Sequence, residues 1–127
     1  MFEINMTIQE QLRDIRDLKP AIKSLELELT KVREQFKTLP TLLEPQENEI
    51  LTAIREITAK RQRMADLINK LSDKEQRDLL TAQYIEGIKT KHLAEFLGWK
   101  EKEVQSTHRK AIKNLEQLQN QLGQSEA

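Results

Sequence analysis

Between Thr90 and Lys113 the chain reads TKHLAEFLGWKEKEVQSTHRKAIK, and its polar side chains are of the types that bond to nucleic acid. If Lys100, Glu101, Lys102, Gln105, Ser106 and Arg109 occupy the exposed side of one helix, they are spaced to meet base edges and flanking phosphates in a major groove. A glutamine amide matches the edge of adenine in bidentate fashion, and arginine or lysine matches guanine. Lys91, Lys110 and Lys113 are better placed for phosphates, which orient a protein without reading sequence. Thr90 can offer its hydroxyl, or the N–H groups of a helix that begins there, to a further phosphate. For any single lysine an ordinary solvated helix face is the competing account.

Other chemistry is thinly represented. The two histidines, His92 and His108, fall near a helix start and a helix end, where surface or packing roles are commoner than metal ligation. There is no cysteine, which excludes disulfides and any thiolate ligand or nucleophile and fits a reducing compartment. No His-Glu-x-x-His pair, phosphate-cradling glycine loop or nucleophile elbow occurs. The carboxylates are spread at helical spacing beside Lys and Arg, as on solvated helix faces. The expectation is a protein that is not an enzyme and needs no metal or cofactor.

The polar residues from Thr90 onward need elements to hold them, and the intervening apolar residues supply a pattern. Leu93 and Leu97 lie on one helical face, and small Ala94 lets a second helix cross closely. Gly98 supplies the positive φ that a tight turn between steeply crossed helices requires. Val104 anchors the second helix, Ala111, Ile112 and Leu115 extend its inner face, and Trp99 packs over the turn. A small residue, a glycine four positions later and a branched apolar residue six after that is helix-turn-helix spacing, although three short packed helices of another kind could show it too. Upstream, Ser72-Asp73-Lys74-Glu75 reads as a capping box opening a helix. That helix runs to about Glu86, with Leu79, Leu80 and Tyr84 inward, and Gly87 closes it.

The N-terminal half reads differently. Ile8, Ile15, Ile22, Leu29 and Phe36 recur every seven residues, and Leu18, Leu25, Val32 and Leu39 follow three positions behind, with Gln11 the one interruption. This is a heptad seam on a helix from about Glu3 to Thr38, which needs a partner helix. Pro20 falls at the outermost register position, where a kink is expected and the seam is kept. Pro40 and Pro45 end this helix, and a second follows from about Gln46 to Leu71. Its seam holds Ile50, Ile57, Met64 and Leu71, flanked by Ile54 and Ile68 and interrupted by Arg61. An antiparallel hairpin within the chain and a parallel coil between chains both satisfy this pattern. The division expected is therefore a helical hairpin or coiled coil for oligomerisation at 1–71, acting through residues 3–71, and a DNA-binding module at 72–127. The fold class is all-α.

Composition agrees with long helices and thin cores. Charged residues make up 33% of the 127 and aromatics 4%, with three glycines and three prolines. Net charge is zero, which argues against a strongly basic nucleic-acid binder. The charge is uneven, however: Ile88 to Lys113 carries seven basic residues against three acidic, a local excess compatible with salt-dependent binding by a dimer. The first ten residues show no basic stretch followed by an apolar run, so no signal peptide is expected. No stretch approaches the roughly 18 apolar residues of a membrane span. The expectation is a cytoplasmic protein with no membrane association.

The stretch from Leu71 to Leu118 resembles region 4 of bacterial sigma factors, through Tyr84-Ile-Glu-Gly87, His92-Leu-Ala-Glu-Phe-Leu-Gly98, Val104 and Arg109-Lys-Ala-Ile-Lys-Asn-Leu115. It is similar in particular to the phage late regulators of the ArpU and RinA type, which join a helical N-terminal region to such a module and often carry a histidine where His108 precedes Ala111-Ile112. The resemblance implies a transcriptional activator of late phage or mobile-element genes that binds promoter DNA, with RNA polymerase as a candidate partner. Glu101 and Glu103 depart from the arginine-rich recognition helix usual there, and nothing resembles sigma region 2. Two other readings compete: a protein-interaction adaptor or anti-activator, favoured by the neutral charge, and a terminase-like packaging subunit, which would form a large ring.

Overall fold

The computed structural model describes residues 6–126 and is all-α. The elements are α1 (Ile8–Gln35), α2 (Pro40–Asn69), α3 (Lys74–Leu80) continued by a π-helical turn (Thr81–Ile85), α4 (Thr90–Leu97) and α5 (Glu101–Glu126), with no strand among the described residues. No helix among them is long and apolar enough to cross a membrane.

The expected start of the first helix at Glu3 lies outside the described residues. Within them α1 opens behind a capping box: Thr7 Oγ1 accepts from the Glu10 backbone N–H at 3.1 Å, and Glu10 Oε1 accepts from the Thr7 N–H at 3.2 Å. This satisfies two donors that a helix start leaves open. The helix runs on through exposed Pro20, whose missing N–H falls on the outer side.

The second helix begins at Pro40 and not at Gln46. A proline at the first helical position removes a donor that would have had no partner within the helix. The N–H groups of Leu42 and Leu43 both reach the Leu39 carbonyl at 3.0 Å, and exposed Pro45 sits inside the helix. The prolines therefore start a helix where a loop was expected.

α1 and α2 pair within the chain, antiparallel. Arg33 Nε meets Glu47 at 2.6 Å near the tip, and Lys60 Nζ meets Asp14 at 2.9 Å near the base. Late α1 thus faces early α2. These exposed ion pairs mark direction and contribute at most about 1 kcal/mol each; burial of Ile15, Leu29, Ile50, Met64 and Ile68 holds the pair together.

The main core draws on residues from both sides of residue 72. Ile8, Leu12 and Ile15 from α1, Met64 and Ile68 from the end of α2, Leu71 just after it, Leu80 and Tyr84, and Ala111 and Leu115 from α5 form one buried cluster. The two residues that broke the heptad seams both bond to later segments of the chain. Gln11 exchanges amide hydrogen bonds with Gln119 of α5, at 3.4 and 2.9 Å. Arg61 Nη2 donates to the Ile85 carbonyl at 2.6 Å, and Lys19 Nζ to that of Glu86 at 2.6 Å. Cations from the hairpin thereby cap carbonyls at the end of the third helix, where the helix dipole favours them.

α3 starts one residue later than expected. Asp73 is its cap, accepting from the Gln76 N–H at 3.0 Å, where its charge suits the positive end of the helix dipole. The helix widens at Thr81, where the Glu86 N–H bonds five residues back to Thr81 at 2.8 Å. Gly87 then turns the chain at φ 78°, as expected.

Candidate nucleic-acid interface

The segment from Thr90 onward folds as a short helix, a three-residue connection and a long helix. Gly98 adopts φ 73°, and the Trp99 N–H returns to the Ala94 carbonyl at 2.9 Å, so the helix closes by the left-handed route that glycine tolerates. Beneath the turn, Leu79, Ala82, Leu93 and Val104 form a second buried cluster, with Ile88, Ala94, Leu97 and Trp99 packed against it. This small core fixes how α4 and α5 cross.

On α5, Val104, Ala111 and Leu115 are buried. At about 100° per residue, Lys102, Ser106, Arg109 and Lys113 fall within roughly 60° of one another on the opposite side. Lys102, Arg109 and Lys113 are exposed and Ser106 is half-buried. Gln105 borders this stripe on one flank and Lys110 on the other, both exposed. Glu101 lies in the first turn of α5 with Glu103, where carboxylates favour the positive end of the helix dipole. Two acidic residues that seemed out of place beside the lysines thus have a local role in starting the helix. Lys100 is exposed in the turn, and Thr90 and Lys91 are exposed at the start of α4.

The structure gathers some of these residues and leaves others apart. Thr90, Gln105 and Arg109 line one cleft of about 420 Å³, which Arg13 and Arg16 of α1 also line. Lys91, Lys100, Lys102, Lys110 and Lys113 stand outside it. The two α1 arginines were not legible as part of the site, since nothing in their own heptad places them against a segment some ninety residues away. Gln83 lies buried at the cleft wall; its amide nitrogen donates to Thr90 Oγ1 at 3.4 Å, and its carbonyl oxygen has no hydrogen-bond partner.

At the inner wall of the cleft, the Tyr84 hydroxyl and His108 Nε2 lie 2.8 Å apart. Burial lowers the His108 pKa from its ordinary 6.5, and the positive charge of Arg13 lowers it further. Burial raises that of Tyr84, opposed by Arg13 and Arg16. Both effects favour the neutral imidazole, and its tautomer sets which of the two groups donates. His92 is exposed on α4. Among the described residues, no group of acidic or imidazole side chains could hold a metal ion.

The His108 shift has a consequence for stability. Its folded pKa lies below the unfolded value of 6.5, so the unfolded chain binds the proton more readily. This contribution is complete above the unfolded pKa and is lost as pH falls through the folded one. The melting temperature should therefore drop on acidification from pH 7.5 to about 5, and His108→Gln should flatten that part of the profile. An unchanged slope in the variant would show that His108 does not carry it.

Taken together, the site offers an exposed row of amide, hydroxyl and cationic donors on a helix braced by its own small core, next to an arginine-lined cleft. Comparisons with known protein families, with curated proteins and with solved structures find no match for this chain.

Proposed function

We propose that this chain is a DNA-binding transcriptional regulator, acting in the cytoplasm without catalysis, that presents α5 to the major groove of promoter DNA. The observation that carries the reading is the stripe of Lys102, Ser106, Arg109 and Lys113 opposite buried Val104, Ala111 and Leu115, with Gln105 beside it. A helix docked by one face and bearing donors on the other is the geometry that reads base edges. The resemblance to sigma region 4 and to the ArpU and RinA regulators supports it and suggests activation of late phage or mobile-element genes, with RNA polymerase as a further partner.

The chain would act as a homodimer or higher oligomer. The α1–α2 seam is occupied within the chain, so residues 3–71 can supply a dimer interface only through what the hairpin leaves outside. Leu27, Leu39 and Leu42 stand exposed there. Two copies would set two α5 helices on half-sites about one DNA turn, roughly 34 Å, apart.

The test is binding of the purified chain to duplex fragments of its own genetic neighbourhood, against a scrambled duplex. The proposal expects preference for one fragment on the order of a thousandfold. Equal, weak binding to all would overturn it. That result would favour a protein-binding adaptor, a reading to which Phe96 lends support: it is 59% exposed on α4, an apolar ring open to a partner.

A further inference from the structure

We infer that the DNA-contacting surface extends beyond the C-terminal helices onto α1, where Arg13 and Arg16 hold the phosphodiester backbone of the duplex in the cleft between α1 and α5. The inference rests on the DNA-binding reading and deepens it by assigning the N-terminal hairpin a direct part in the contact.

Three arginines line this cleft, Arg13 and Arg16 from one side and Arg109 from the other, and none of the described side chains lining it is acidic. Arg16 meets one carboxylate, Asp17, its neighbour on the outer surface of the same helix, at 3.3 Å and largely in solvent. Like charges gathered around a concavity raise the local potential, and low-dielectric walls focus it. The charge of Arg13 is felt at both Tyr84 and His108, and that of Arg16 at Tyr84.

The placement selects which anion. Gln105 and Arg109 belong both to the cleft wall and to the edge of the exposed stripe on α5. A duplex lying along that stripe carries its nearer strand past the cleft mouth. Guanidinium groups suit phosphate oxygens, which they meet in paired hydrogen bonds. The hairpin is rigidly tied to this position, since Ile8, Leu12 and Ile15 share a core with Tyr84, Ala111 and Leu115.

The experiment is a salt titration of binding by the full chain to a mixed-sequence DNA duplex about three helical turns long. Each phosphate contact contributes about 0.9 to the slope of log affinity against log salt. Arg13→Gln with Arg16→Gln should reduce that slope by about two and weaken binding by tenfold or more near 0.1 M salt, uniformly across sequences. Arg13→Lys with Arg16→Lys keeps the charge and should keep most of the slope, which separates charge from fold. Arg33→Gln, near the hairpin tip, should change nothing. If the glutamine pair leaves the slope intact while Lys113→Ala lowers it, α1 has no part in the contact and the DNA-binding reading survives. A lysine pair that loses the slope as fully as the glutamine pair also overturns the inference. A native chain that binds no duplex overturns both.

Discussion

Leu12→Ala is expected to cost about 2–5 kcal/mol of unfolding free energy. The loss should appear in one transition, seen alike by helix content and by Trp99 fluorescence. Leu12 is fully buried, in a cluster drawn from α1, the end of α2, α3 with its π-helical continuation, and α5. Removing its isobutyl group leaves a void that four segments must collapse together to fill, and a close-packed core collapses only in part. Trp99 belongs to the second cluster, beneath the α4–α5 turn, so its signal reports whether the C-terminal helices fall with the hairpin. Leu27→Ala is the comparison: Leu27 is 63% exposed on the same helix, and its loss should change stability by no more than about 0.5 kcal/mol. Two separate transitions, with Trp99 unaffected by the Leu12 change, would contradict a shared core.

Gln105→Ala combined with Arg109→Ala is expected to cut sequence preference sharply while leaving the fold intact. Both side chains are exposed, so neither truncation opens a cavity. A good bidentate contact to a base edge discriminates by about 1–3 kcal/mol, so the pair should lower affinity for the preferred fragment by roughly thirtyfold or more while the scrambled duplex loses little beyond the Arg109 charge. Lys113→Ala offers the contrast. A residue that contacts phosphate weakens binding to every sequence and leaves the ratio unchanged. Preference retained in the double variant would remove α5 as the reading helix.

Much of this arrangement was legible in the chain before folding was considered. The seven-residue spacing of Ile8, Ile15 and Leu29 and of Ile50, Ile57 and Met64 gave two seamed helices, because a narrow apolar stripe has few other uses. Gly87 and Gly98 marked two turns, since both take the positive φ that other residues resist. Other features depend on distant contacts. Leu12 sits off the a/d seam and is buried by α5 and the π-helical turn, which no local period records. The seam interruptions at Gln11 and Arg61 were visible as anomalies, but their partners Gln119 and Ile85 were not. Prolines at 40 and 45 suggested a loop because proline signals both helix starts and breaks, and only the surrounding bonds decide between them. In the site, the exposed stripe on α5 followed from helical spacing. The arginine-lined cleft did not, since it is made by packing α1 against a helix from the other end of the chain.

The measurement that bears most directly on the account is the salt dependence of binding to the preferred fragment by the native chain. Cationic contacts to phosphate release counterions, so affinity should fall steeply with salt, with a log–log slope of about four or more if Arg13, Arg16, Lys91, Lys110 and Lys113 engage as argued. Preference over the scrambled duplex should persist as both affinities fall. A nearly flat response, with every duplex bound alike, would contradict the claim that this surface reads DNA.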